Sequence, residues 1–228
     1  MEMKKLNVLI TGAAGGLGSE LALLFANQGA DLLLVDKSSP KLDALSDRII
    51  EAGNREPGVC KLDLACAEVE QYGSLAEILQ SEYGGLDVFI HCAAEFDGLR
   101  PIDQIDPDYW KKCMQVNAGS AWNAVSVLTP LLRRDTGGRV VLIQEEEKVM
   151  RSAYWGAYGV SKASLESIGN ILSEEFEGTG IKVLNVNPGP MRTSLRASAY
   201  LSEDPNSVRH PADAAAELLG MIRDSYAD

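Results

Sequence analysis

Short apolar runs alternate with amphipathic stretches along almost the whole chain. The first run, 6–10, ends at a cluster of glycines. Over 16–29, Leu17, Leu21, Leu24 and Phe25 recur at helical spacing, so a helix is predicted there. Residues 31–35 read as a buried strand and 41–52 as a second helix. Further short strands are predicted at 59–62, 88–90, 140–143 and 183–186. Between them fall helices at about 67–82, 107–132, 157–177 and 211–223. Pro107 and Pro211 suit helix starts, where a missing N–H costs nothing.

The strands are continuous apolar runs rather than alternating ones, which indicates a parallel sheet covered by helices on both faces. Right-handed crossovers are expected. No linker, repeat or low-complexity segment interrupts the pattern. The chain therefore reads as one α/β domain over 1–228, a doubly wound parallel sheet of about six strands. Two stretches escape the alternation, 97–107 and 192–211. The second is long and polar and follows a strand end, which makes it a candidate substrate lid.

The glycine cluster, Thr11-Gly12-Ala13-Ala14-Gly15-Gly16-Leu17-Gly18, lies between the first strand and the first helix. In that place glycines permit a tight turn and a close approach to a pyrophosphate, and the helix start offers free N–H groups. Asp36 ends the second strand, 18 residues beyond Gly18. A carboxylate there accepts hydrogen bonds from an adenosine ribose and repels a 2′-phosphate, favouring NAD over NADP. The neighbouring Lys37 weakens that preference. Asp63, at the end of the third strand, is placed to face an adenine edge.

Tyr158 and Lys162 stand four residues apart on a predicted helix and share a face. An ammonium beside a tyrosine favours tyrosinate, so the pair can make a phenol usable in proton transfer near neutral pH.

Composition narrows the field. The chain has 228 residues, is 46% hydrophobic and carries a formal net charge of −12. That acidity disfavours a nucleic-acid partner. No run of roughly 18 apolar residues suggests a membrane span. Cys60, Cys66, Cys92 and Cys113 form no Cys-x-x-Cys pair, so reduced thiols and a cytoplasmic location are expected. Glu145, Glu146 and Glu147 are consecutive, point in alternating directions and have no histidine nearby, so no metal is expected.

Over nearly its whole length the sequence resembles the short-chain dehydrogenase/reductase family. Thr11-Gly12-x-x-x-Gly16-x-Gly18, Asp63-Leu64, Val116-Asn117, Tyr158-x-x-x-Lys162, and Asn187-Pro188-Gly189-Pro190 with Thr193 match its motifs in order. The segments around Trp155 and Met191–Ala197 resemble a bacterial branch whose members are described only as oxidoreductases. The resemblance implies a Rossmann-type fold and hydride transfer between a nicotinamide cofactor, NAD before NADP, and a small carbonyl or alcohol substrate. Tyr158 would be general acid and base. Lys162 would lower its pKa and bind the nicotinamide ribose, and Asn117 would hold a water that relays protons. Gly12, Ala14, Gly16, Leu17, Gly18, Asp36, Asp63, Leu64, Ala93, Pro188, Gly189 and Thr193 would contact the cofactor. A homodimer through the helices near 107–132 and 157–177 is expected, with a tetramer also open.

The chain departs from the family at a decisive point. The expected substrate-orienting serine lies about thirteen residues before the tyrosine, where this sequence has Glu145, preceded by Gln144. A serine hydroxyl donates to an oxygen becoming an alkoxide, whereas an ionised glutamate only accepts. Two readings keep it active: Glu145 acts protonated, or it turns away while Gln144 or Ser152 donates. Alternatively the chain is a catalytically impaired nucleotide-binding member of the family, a sensor or an assembly subunit. The family's Asn-Asn-Ala-Gly is replaced by His91-Cys92-Ala93-Ala94, where Cys92 reads as a small hydrophobe and His91 as a structural strand-end residue. The family's usual final strand is not expected, which leaves six.

Overall fold

The computed structural model describes residues 5–227. Six strands form one parallel sheet: β1 (Asn7–Thr11), β2 (Asp31–Asp36), β3 (Gly58–Lys61), β4 (Val88–His91), β5 (Arg139–Ile143) and β6 (Lys182–Val186). Their spatial order is β3-β2-β1-β4-β5-β6. The order reverses between β1 and β4, and such a switch point is where doubly wound sheets open a crevice beyond the strand ends. Thr11 is in register with both Val35 and His91, so the ends of β1, β2 and β4 lie level.

Every strand but β3 feeds two cores. Val8 and Ile10 point to the layer of α1 (Gly16–Asn27), α2 (Ser39–Glu51) and α9 (Pro211–Asp224), against Leu21, Phe25, Ile49 and Ile222. Leu9 points to the opposite layer of α3 (Val69–Tyr83), α5 (Ser120–Leu132) and α7 (Gly156–Glu175), against Tyr72, Leu79, Leu128 and Leu165. Alternation of successive side chains thus covers both faces. Burial of each such leucine or isoleucine contributes roughly 1.5–3 kcal/mol.

The stretch expected as one helix over 107–132 is three pieces. Asp106 caps α4 (Pro107–Met114) by accepting from the Asp108 and Tyr109 N–H groups at 2.9 and 3.1 Å. A π-turn, Gln115–Gly119, follows, and then α5. The Ser120 hydroxyl donates to the Val116 carbonyl at 2.7 Å, giving a partner to a carbonyl at the irregularity. Two further helices lie where irregular chain was expected. Glu147–Met150 forms the one-turn α6, and Ser194–Ala199 forms α8, capped by Thr193. Each is too short to display a period. The 192–211 stretch is moored at its base by the Arg192 N–H, which donates to the Arg209 carbonyl at 3.0 Å. No helix among the described residues is long and apolar enough to cross a membrane.

Candidate active site

Beyond the C-terminal ends of the strands lies a cleft of about 330 Å³. It gathers residues from seven places in the chain. Gly12, Ala14, Gly16, Leu17 and Gly18 line it from the β1–α1 turn, Asp36 from β2, and Asp63 and Leu64 from beyond β3. Ala93 follows β4, Glu145 follows β5, Tyr158 and Lys162 come from α7, and Pro188, Gly189 and Thr193 follow β6. Of the catalytic and cofactor-contacting residues expected from the family resemblance, Asn117 alone lies outside the lining.

The turn explains its own glycines. Gly12 has φ +64°, and a Cβ on it would meet the Ala93 backbone at 2.6 Å. A Cβ on Gly18 would strike the Gly12 carbonyl oxygen. The turn therefore packs directly on the end of β4, and α1 follows the N-cap Gly15 with no side-chain cap. Its first N–H groups and dipole face the cleft as an anion seat. The residues present fit a dinucleotide pyrophosphate.

Asp36 braces this turn. Its Oδ2 accepts from the Ala14 N–H and its Oδ1 from the Ser38 N–H, both at 3.1 Å. Lys37 beside it is tied across the cleft to Glu95 at 3.0 Å, and Glu95 also binds Lys112 at 2.8 Å. Glu95 is buried enough to be penalised as an anion, yet the two lysines together hold its carboxyl below the usual range.

At the other end Tyr158 is buried and its hydroxyl donates to Glu145 Oε2 at 2.8 Å. The Glu146 N–H donates to Glu145 Oε1 at 3.0 Å, so both carboxylate oxygens are engaged. Burial pushes the Tyr158 phenol well above its ordinary value, and the charge and hydrogen bond of Glu145 push it further. The buried Lys162 donates to the Ile143 carbonyl at 2.8 Å and lies 5.9 Å from the Tyr158 ring centroid. Burial lowers the pKa of Lys162, with Glu145 opposing. A tyrosine activated by its lysine was the expectation; in this geometry the glutamate and burial dominate. Gln144 does not stand in for a serine, because its amide donates to Asn185 at 2.8 Å. Ser152 does not either, since its hydroxyl donates to the Lys148 carbonyl at 2.6 Å.

Asn117 sits in the π-turn, fully buried. Its side-chain oxygen accepts from the Glu95 N–H at 2.6 Å, and its amide donates to the Glu95 carbonyl at 3.1 Å and to Ser161 Oγ at 2.8 Å. The side chain thus clamps the segment after β4 to α7. His91 and Cys92 lie beneath. His91 Nδ1 is 2.9 Å from Thr11 Oγ1, while Nε2 is buried without a hydrogen-bond partner. Burial and then the Lys162 charge push the imidazole down to about 3. Burial pushes the Cys92 thiol up to about 12, far from a nucleophile.

The sequence reading missed the substrate wall. Trp155 and Tyr200 line the cleft with ring centroids 6.1 Å apart, and Phe96 stacks on Trp155 at 5.2 Å. Arg196 lies over the Tyr200 ring at 4.3 Å and pairs with Glu203 through two 2.6 Å bonds. Nothing in local periodicity links positions 96, 155 and 200; an aromatic residue at the lid's centre was the one available signal.

A doubly wound sheet, a glycine turn at its switch point and a tyrosine–lysine pair on the far side of one cleft define a dinucleotide-dependent oxidoreductase class. The family model for short chain dehydrogenase matches residues 6–204. Uncharacterized oxidoreductase YciK of Escherichia coli K12 is 32% identical over 217 residues, covering 95% of this chain and 86% of the relative. A short-chain dehydrogenase from Escherichia coli CFT073, complexed with NADPH, superposes with TM-score 0.93 at 31% identity, covering 100% of this chain and 95% of that one. A second, from Shigella flexneri 2a and complexed with NADP, gives TM-score 0.87 at 31% identity, covering 93% and 89%. The chain belongs to the short-chain dehydrogenase family and is an oxidoreductase of that type. The impaired-subunit alternative is not favoured by these likenesses.

Proposed function

We propose that this chain transfers hydride between NADP(H) and a small carbonyl or alcohol substrate, with Tyr158 as the proton donor and acceptor. The observation that carries this is the Tyr158 hydroxyl set in the same cleft as the glycine turn. When bound, the nicotinamide supplies or accepts the hydride. The β1–α1 turn would hold the pyrophosphate, Asp63 and Leu64 would take the adenine side, and Pro188, Gly189 and Thr193 the nicotinamide side. Two donors remain on Lys162 after its bond to Ile143, available to ribose hydroxyls. Asn117 acts as a positioning residue through Glu95 and Ser161.

Asp36 alone would favour NAD. Its two oxygens already serve the Ala14 and Ser38 N–H groups, which offsets part of its repulsion toward a 2′-phosphate. The NADP(H) in the two structural relatives supports the phosphorylated cofactor, and Lys37 is the cation at hand. Four cysteines without disulfides support a cytoplasmic location. Exposed Trp122, Val160 and Ile171 on α5 and α7 support a homodimer through those helices.

Glu145 sets the difficulty of the reaction. Unit charges 4 Å apart interact by roughly 4 kcal/mol at an effective dielectric of about 20, so a developing alkoxide beside this carboxylate is strongly opposed. The test is turnover of a ketone and alcohol panel with NADPH and NADH. Tyr158→Phe should lower kcat/KM by about 10²–10⁴, the usual worth of a general acid. A rate that survives the substitution removes Tyr158 from the mechanism.

A further inference from the structure

We infer that the substrate carries a cationic nitrogen on the carbon next to the reacting one, as in a vicinal amino alcohol or amino ketone, and that Glu145 recognises it. This rests on the oxidoreductase reading above and narrows it to one substrate class.

The charge pattern of the cleft leads there. Glu145 and Glu146 both line it, and neither forms an ion pair among the described residues. Arg196, the cation on the lid side, is bonded to Glu203, so that it, like Lys162, reaches Glu145 only through its field and forms no ion pair with it. Lys162 faces the Ile143 carbonyl. The substrate end thus holds unpaired negative charge where the reacting oxygen must sit. An added positive charge converts that arrangement from opposition to support. The walls agree with the floor: Trp155 and Tyr200 present aromatic surface, which attracts ammonium groups.

Reach is satisfied as well. Glu145 Oε2 is 2.8 Å from the Tyr158 hydroxyl oxygen. A substrate oxygen bonded to Tyr158 brings a nitrogen on the adjacent carbon within hydrogen-bond range of the same carboxylate. The ammonium then donates to Glu145 and lies beside the oxygen whose charge changes, so the substrate itself provides what the missing serine would have provided.

The probes are 2-amino-1-phenylethanol and its uncharged near-isostere 1-phenylpropan-1-ol. Each is assayed for oxidation with NADP⁺ and titrated by calorimetry into the protein holding NADP⁺. The amino alcohol should be favoured at least tenfold in both kcat/KM and Kd. Glu145→Gln should reduce that ratio toward one, and Glu145→Ser should reverse it. Equal or better use of the neutral alcohol, or a preference that survives Glu145→Gln, overturns the inference. If neither alcohol nor any other panel member is oxidised, the oxidoreductase reading fails, while the calorimetric ratio still decides this one. No measurable preference in binding overturns it on its own.

Discussion

The Tyr158 hydroxyl donates to Glu145 Oε2 at 2.8 Å, so the proton placed for a substrate oxygen is already directed at a carboxylate. Restoring the hydroxyl donor should help neutral substrates. Glu145→Ser is expected to raise kcat on an uncharged ketone by about ten- to a hundredfold, up to the lower end of the 10²–10³ that one oxyanion donor commonly contributes. Steady-state kinetics on purified protein give the answer, and a fall would show the glutamate to be adapted for neutral carbonyls too.

The pH profile follows from the same pair. Burial, then the Glu145 charge and hydrogen bond, raise the Tyr158 phenol above its ordinary 10. A raised phenol keeps its proton to higher pH. Ketone reduction, which needs the protonated form, should hold its rate past pH 10, and alcohol oxidation should climb through that range. Glu145→Gln removes the carboxylate charge, the largest cause after burial, and should move both limbs to lower pH. Rates in both directions between pH 7 and 11 would reveal it; limbs that stay in place would exclude Glu145 as a cause.

Asn117→Ala should destabilise the fold as well as the site. It strips partners from the Glu95 N–H, the Glu95 carbonyl and Ser161 Oγ. Only the Glu95 N–H is left with no other partner, since the Glu95 carbonyl still accepts from Cys113 Sγ and Ser161 Oγ still donates to the Tyr158 carbonyl, so a loss of about 1–3 kcal/mol is expected from urea denaturation. A loss below about 0.5 kcal/mol would mean the clamp is not structural.

Cofactor choice should respond to the Lys37–Glu95 pair in opposite directions. Under the NADP(H) proposal, Lys37→Ala removes a cation that lines the cleft beside Asp36 and should raise KM for NADPH about fivefold while sparing NADH. Glu95→Gln frees Lys37 from its 3.0 Å bond and should lower the NADPH KM relative to NADH. The two KM ratios, measured side by side, settle the matter, since parallel changes would place Lys37 away from the phosphate.

His91 should make the protein acid-sensitive. Its folded-state pKa lies at about 3, far below the 6.5 of an exposed imidazole, because burial and Lys162 oppose its charge. Between those values the unfolded chain binds the extra proton. The stability due to neutral His91 is therefore complete above about pH 6.5 and is lost as pH falls toward 3. Melting temperatures from pH 7 to 4 should fall more steeply in the native chain than in His91→Asn.

Much of the fold was legible because its signals are local. Leu17, Leu21 and Phe25 report a helix face by spacing alone, and the glycines report a turn against Ala93 that admits no side chain. Six strands and their layers follow from continuous apolar runs. The π-turn at Asn117 was not legible, since it depends on a clamp to Glu95 and Ser161, 22 and 44 residues away. Counting back from Tyr158 located Glu145, but whether its carboxylate faced the phenol or turned away depended on the path of the chain beyond β5. The aromatic wall was invisible because Trp155 and Tyr200 meet only through the lid.

Lys162 fastens to the carbonyl of Ile143, the last residue of β5, and Glu145 leaves the same strand two residues later. Lys162 and Glu145 are thus both anchored to the end of one interior strand, while Tyr200 and Arg196 ride on a segment moored at Arg192 and Arg209. For anyone wishing to retune this catalyst, selectivity and chemistry are separable: libraries across 194–207 can reshape what enters without disturbing the distances that carry out the reaction.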